Sequence, residues 1–182
     1  MDRRWKRVGL GTVALWAAVA APVCATEIET TFTHLAIPRL GILSIQGDVS
    51  QLLTFTQDGA GECAYDVGSI ESNPSQTGLT VTANDTWDLS ARLAGTWNCP
   101  GTYDKHETDL FIRITNTPTG TIQNGADAYI TLTSTDTPIL SHDTGVTDNQ
   151  VDVQTKVLLD WVQDIPGDYS IPITYTLTVH VP

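Results

Sequence analysis

The sequence predicts an all-β fold, a single antiparallel β-sandwich with little or no helix once an N-terminal leader is removed. Threonine is abundant, apolar and polar residues alternate in short runs, and turn-forming residues separate those runs. The alternation is clear at residues 79–84, 109–116 and 128–134. This rhythm of short strands and turns is typical of immunoglobulin-like sandwiches.

The last predicted strand covers residues 169–181, where every odd position is apolar or aromatic and no even position is strongly apolar. A period of two over this length indicates one buried face. Pro172 has no amide hydrogen, so the strand must lie at a sheet edge there or form a bulge. Residues 151–165 fit both strand and helix spacing, and their β-branched content favours a strand.

Residues 1–25 have the three parts of a secretory signal peptide. A basic start precedes an apolar run at 8–21, and Val23 and Ala25 are small residues before a cut at Thr26. The run is shorter than the ~20 residues of a membrane-spanning helix. The alternative is a lipoprotein leader cut before Cys24. We therefore expect residues 26–182 to be exported to the periplasm, cell surface or extracellular space, without a transmembrane segment.

Charge and cysteine content narrow the possible partners. Removing the leader takes away four of the nine basic side chains and one of the 21 acidic ones, so the net charge moves from −12 to −15. Five scattered cations cannot neutralise a phosphate backbone, which argues against nucleic acid as a partner.

Cys63 and Cys99 remain after the leader is removed. In an exported protein such a pair indicates a disulfide, the alternative being two buried thiols.

The two tryptophans of the stretch TWDLSARLAGTW are predicted to face a core. Counting in twos from Trp87 places Leu89, Leu93 and Trp97 on one apolar face of a strand. Gly95 can bend that strand, which leaves Trp97 open to a second interpretation as an exposed aromatic side chain. Trp161 lies on an apolar stripe with valines and is also predicted to be a core residue.

The same stretch resembles a motif of the WxL domain, a module of bacterial cell-surface proteins. Trp87-Asp88-Leu89 is similar to its first Trp-x-Leu motif, and Tyr175-Thr176-Leu177 occupies the place of the second, with tyrosine instead of tryptophan. The similarity in order and position extends from about residue 40 to 180. The resemblance implies a β-sandwich at the cell surface that attaches noncovalently to the wall, and the tyrosine and the cysteine pair depart from the family pattern.

No motif in the sequence points to catalysis, so we expect a protein that is not an enzyme. Ser141-His142-Asp143 are adjacent, and neighbouring strand residues point to opposite faces, so they are not expected to form a catalytic triad. The acidic run at 104–109 is interpreted as solvated surface. Calcium binding by loop carboxylates is the alternative, but the calcium-loop pattern is absent, and no cofactor is expected.

The leading functional hypothesis is a secreted, noncatalytic structural β-sandwich of the cell surface or extracellular space. Its expected partners are a wall or matrix polymer, other surface proteins, or further copies of itself through strand addition. The alternative is a carbohydrate-binding module, in which Trp97 and Tyr103 form an aromatic platform for sugar rings.

Overall fold

The structure, a computed structural model, describes residues 38–46, 67–160 and 162–180. The chain divides into two compact units, Met1–Pro38 and Arg39–Pro182, and all described strands belong to the second. The predicted signal peptide at residues 1–25 and Trp161 lie outside the described residues. In the part of the chain that is described, no helix is long and apolar enough to cross a membrane.

Ten strands and one 3₁₀ turn at Glu107–Asp109 make up the described secondary structure, which confirms the predicted all-β class. The strands are β1 (Gly41–Gln46), β2 (Ser69–Glu71), β3 (Thr77–Ala83), β4 (Trp87–Leu93), β5 (Leu110–Ile114), β6 (Thr121–Ile122), β7 (Ile130–Thr131), β8 (Thr137–His142), β9 (Val146–Leu158) and β10 (Ile173–Val179).

The first sheet has six strands in the order β1-β3-β9-β5-β7, with β2 also paired to β9. All pairs are antiparallel. β9 organises this sheet because its 13 residues are long enough to pair with β3 and β2 in succession. Val157 pairs with both Ile70 of β2 and Leu110 of β5, which places β5 on the opposite side of β9.

The second sheet has four antiparallel strands in the order β10-β4-β8-β6. Its central strand β4 alternates buried and half-buried residues, apart from a stretch at Leu89–Ala91 that is buried throughout. The register between β4 and β8 shifts between Leu89 and Ser90, which marks a β-bulge. β10 lies at the edge of this sheet, which is one of the two arrangements that Pro172 allows.

One hydrophobic core joins the two sheets. Apolar and polar residues alternate along the strands, and the apolar side chains of each sheet face the other sheet. This packing removes them from water. The fully buried positions are Leu79, Val81, Trp87, Leu89, Ala91, Ala126, Ile139, Leu140, Val151 and Val153. Trp87 is therefore a core residue, as the sequence alternation predicts.

Several predicted strands are longer than the observed ones. The runs at 109–116 and 128–134 contain the shorter β5 and β7, and three other strands differ at their ends. β4 ends at Leu93, and Ala94 then donates its amide hydrogen to the carbonyl oxygen of Pro172. β9 ends at Leu158, and a turn that joins Asp160 to Asp164 replaces the rest of the predicted strand. The last strand begins only after Pro172.

Replacing Trp87 with alanine is expected to destabilise the fold by about 3–5 kcal/mol, because it leaves a large cavity between the sheets. Trp87→Phe should cost less, since it leaves a smaller cavity and the buried indole N–H has no hydrogen-bond partner to lose in the described structure. Urea unfolding measures both. Val162→Ala is the control, because Val162 is 92% exposed, and an equal loss of stability there would contradict this account of the core.

Candidate functional site

The edge strands β1 and β10 pack against each other along one side of the sandwich. Leu43 and Ile45 of β1 and Ile173, Tyr175 and Leu177 of β10 carry apolar side chains on this side, which we call the open side. The register aligns Ile45 with the buried Leu79 and Tyr175 with the buried Ala91, so both side chains are on the inward face of their strands.

Burial along the open side is incomplete. Ile45 points inward yet remains 47% exposed, and the inward residues of β10 are only half-buried. Their partners on β4 are fully or almost fully buried. The difference arises because β4 has a neighbouring strand on each side, whereas in the described residues β4 is the only strand paired with β10.

One end of the open side, the closed end, is filled by side chains of β10 that pack against the backbone of Gly41. A Cβ atom added there would lie 2.6 Å from Cγ2 of Val179 and 3.1 Å from Cδ2 of Leu177. Glycine is therefore needed where β1 and β10 meet. Ile45, four residues further along β1, is at the end where the apolar side chains are exposed.

The two WxL-like segments lie on neighbouring strands that border the open side. In the antiparallel register, Trp87 is opposite Val179, and Leu89 is opposite Leu177. Tyr175, which stands where the family has tryptophan, is half-buried on the same face. Burial raises the pKa of the Tyr175 hydroxyl, although a hydrogen bond with the Thr77 side chain on the first sheet opposes that shift.

A shallow groove lies near the closed end, on the other face of β1. Leu40 and Ile42, each about three-fifths exposed, line it together with residues of β3 and the β8–β9 turn, and its volume is about 420 Å³. Leu40 is held there because it exchanges hydrogen bonds with Asn84. The groove is mostly open to solvent, so exposed apolar surface extends from the open side around β1.

The predicted aromatic platform is half-buried, and its polar atoms are used within the protein. The indole N–H of Trp97 donates to the carbonyl oxygen of His106 at 3.1 Å. The Tyr103 hydroxyl donates to Asp164 at 2.9 Å, and its ring meets Tyr169 edge-on at 79°. Because both polar hydrogens are donated within the protein, neither is available to bind a sugar at this site.

A buried ion pair lies beneath these aromatic residues. The ammonium group of Lys105 is 2.9 Å from Asp164 Oδ1 and 3.3 Å from Asp109 Oδ2, and the Lys105 and Asp164 side chains are almost fully buried. Burial lowers the pKa of Lys105, but the hydrogen bonds and charge attraction of Asp164 and Asp109 together outweigh this and raise the pKa overall. Burial raises the pKa of Asp164, but the hydrogen bond from Lys105 leads the effects that lower it overall.

Sequence reasoning missed this ion pair because it interpreted the acidic run at 104–109 as solvated surface. Lys105 is instead 3% exposed and ties its loop to the loop after β9. The signal available in the sequence was a single lysine among acidic residues, two positions after Tyr103. The sequence analysis also missed the cations over the Tyr129 ring, where Arg113 and Lys156 lie 4.6 and 5.2 Å from the ring centre.

Ser141 and His142, from the run that the sequence analysis excluded as a catalytic triad, each contact nearby side chains. Ser141 accepts a hydrogen bond from the Gln123 amide, while the His142 ring contacts Thr144 at 3.1 Å and packs edge-on against Trp87. Within the described ranges, no three histidine, cysteine or acidic side chains come close enough to hold a metal ion.

The predicted Cys63–Cys99 disulfide is not seen in the structure. Cys99 is a half-buried free thiol, and Cys63 lies outside the described residues. Asn98, next to Cys99, forms a β-bridge with Ser170, which holds this cysteine beside the segment that precedes β10. A disulfide would require the two Cα atoms to approach within about 7 Å, so the pairing stays a prediction.

Comparisons with known proteins give no family for this chain. No protein-family model matches the sequence, and a search of curated proteins found no match. The WxL-like resemblance therefore stays a prediction from the two Trp-x-Leu-like segments.

Replacing Lys105 with methionine is expected to destabilise the protein by about 3 kcal/mol at neutral pH, because it leaves the Asp164 carboxylate buried without its cation. The lowered pKa of Asp164 means that the pair stabilises the fold above pH 3.8 and loses this effect as the pH falls through the folded pKa. The raised pKa of Lys105 keeps the effect up to at least pH 10.5.

The difference in unfolding free energy between Lys105→Met and the natural protein should therefore shrink as the pH falls below about 4. Chemical unfolding at several pH values measures this difference. Lys156→Met serves as a matched control, because the 3.9 Å contact of Lys156 with Glu71 is partly exposed, and it should cost little. Equal effects of the two substitutions, or a difference independent of pH, would contradict the assignment.

Proposed function

We propose that this protein is an exported, noncatalytic structural β-sandwich of the cell surface or extracellular space. It acts by joining copies of itself, or by attaching to a wall or matrix polymer or to another surface protein. The open side between β1 and β10 is the observation that supports this proposal, because it combines exposed apolar side chains with an edge strand. Such an edge is a template for adding a further strand.

Self-assembly is the form of this function that the geometry favours. Natural β-proteins usually protect edge strands with charge, proline or a covering segment. Here Pro172 protects only the start of the last strand, and the side chains of β10 from Ile173 to Val179 carry no charge. β1 likewise has no charged residue.

The carbohydrate-binding alternative receives no support at Trp97 and Tyr103, whose polar groups form hydrogen bonds with His106 and Asp164.

The predicted signal peptide favours export, and the negative charge favours solubility of the separate molecules. Under this proposal, charge repulsion between copies opposes assembly at low salt, and assembly becomes favourable as salt screens that repulsion.

Sedimentation of the oxidised 26–182 protein tests the proposal. We expect a pellet without any added polymer at physiological salt, increasing with protein concentration, and a smaller pellet at low salt because the net charge is then less screened. Parallel tubes contain insoluble peptidoglycan or cellulose. A pellet only in the presence of one polymer would assign the function to attachment, and a protein that stays in solution in every tube would contradict the proposal.

Export through an oxidising compartment should also join Cys63 to Cys99, which closes a long loop and stabilises the fold by roughly 3–4 kcal/mol in the chain-entropy model. We expect the exported protein to be lighter than its reduced form by two hydrogen atoms. Intact-mass measurement with and without reductant detects this change, and Cys99→Ser is the control. Two thiols that react freely with a maleimide before reduction would disprove the disulfide.

A further inference from the structure

We propose that residues 26–37 of one copy add as a strand to the free edge of β10 in a second copy, with Ile28 and Phe32 entering its open side. This inference rests on the proposed function and specifies how the copies join. It assigns one occupant to the open side, the N-terminal segment of a neighbouring molecule that signal-peptide cleavage before Thr26 would release.

Among the described strands, none pairs with the outer edge of β10, the acceptor in this proposal. Tyr175 and Leu177 face inward but are only half-buried, and Ile45 faces them from the first sheet with nearly half of its surface exposed. A strand beside β10 would place its inward side chains next to these residues. It would also satisfy the backbone groups along the outer edge of β10, which is the usual source of affinity in strand addition.

Residues 26–33 of the donor segment have the composition and period of a strand. Residues 26–37 lie outside the described part of the chain, and their sequence is TEIETTFTHLAI. Ile28, Thr30 and Phe32 share one face of an extended chain, and Glu27, Glu29, Thr31 and Thr33 share the other. An apolar face can therefore enter the open side while both glutamates remain in water.

The length of the segment matches the acceptor. Twelve extended residues span about 40 Å, and the seven residues of β10 span about 23 Å. The segment can therefore cover the open side with about half of its length and cross between molecules with the remainder.

The direction of the chain favours a second molecule over the same one. Arg39 and Leu40 are fixed at the closed end, where Arg39 pairs with Asp85 at 2.9 Å and Leu40 bonds to Asn84. Proline disfavours the helical region for the residue that precedes it, so a helix is not expected to run into Pro38. To pair with β10 of its own molecule, the segment would have to reverse direction just before Arg39, whereas pairing with a second copy requires no such reversal.

The resulting contact is heterologous, because the donor and the acceptor are different surfaces of the molecule. Each copy that receives a strand still has its own segment to donate, and an interface of this kind builds open filaments unless its rotation closes a ring. A filament built in this way would have a structural role that needs no catalytic group.

Paired substitutions in the full 26–182 protein test the inference. Ile28→Asp and Phe32→Asp place a carboxylate on the inward face of the donor, and Thr31→Asp and Thr33→Asp place the same charge on its outward face. Ile45→Asp alters the acceptor, with Ser44→Asp on the opposite face of β1 as its control. Sedimentation measures assembly, and thermal unfolding followed by circular dichroism verifies that each variant is folded.

We expect the three inward variants to reduce the sedimenting fraction about tenfold or more, because burial of an unpaired carboxylate is strongly unfavourable. The three outward controls should assemble like the natural protein. A synthetic peptide of residues 26–37, added in excess, should occupy the open sides and stop assembly of the unaltered protein, whereas the Phe32→Asp peptide should not.

The outcomes separate this inference from the proposed function. If the natural protein assembles and the inward variants assemble equally well, the donor assignment is wrong, and the structural role remains. If the protein is captured only by a polymer, the inference is also overturned while attachment remains. A protein that neither assembles nor binds a polymer would contradict both.

Discussion

Burial of one apolar face of β4 in a core shared by both sheets is the interaction on which the rest of the structure depends. Trp87 and Leu89 fill this core from the second sheet, and Leu79 and Val151 fill it from the first. Burying a large apolar side chain contributes about 1.5–3 kcal/mol, so this contact dominates over the surface ion pairs of the molecule. It also fixes the register of β10, because Val179 and Leu177 must lie opposite Trp87 and Leu89.

The open side follows from the same topology. A sandwich with open sheets has edges, and here β1 and β10 bring two edges together on one side of the molecule. Gly41 allows contact at one end, while Ile45 and Tyr175 retain exposed apolar surface further along. In contrast to the open side, the loop that contains Lys105 and the loop that contains Asp164 are held together by a buried ion pair. We therefore assign the ion pair to stability, and under the proposed function the open side is the region that serves association.

The sequence predicts the fold class well because alternation with a period of two is local and repeated, as in β3, β5 and β10. It predicts Trp87 correctly for the same reason. Strand ends are less predictable, since Leu93 and Leu158 end their strands through hydrogen bonds and turns that involve distant or later residues. The ion pair between Lys105 and Asp164 joins residues 59 positions apart, and a charged pattern alone cannot reveal such a pairing. The open side depends on strand order, which alternation leaves undetermined.

Amide hydrogen exchange on assembled and dispersed protein tests the central claim most directly. If a strand from another copy pairs with the edge of β10, the outward amides at Ile173–Val179 should become strongly protected on assembly, while those of β4 and β9 stay protected in both states. Unchanged exchange along β10, together with new protection elsewhere on the surface, would contradict the claim that the open side is where molecules join.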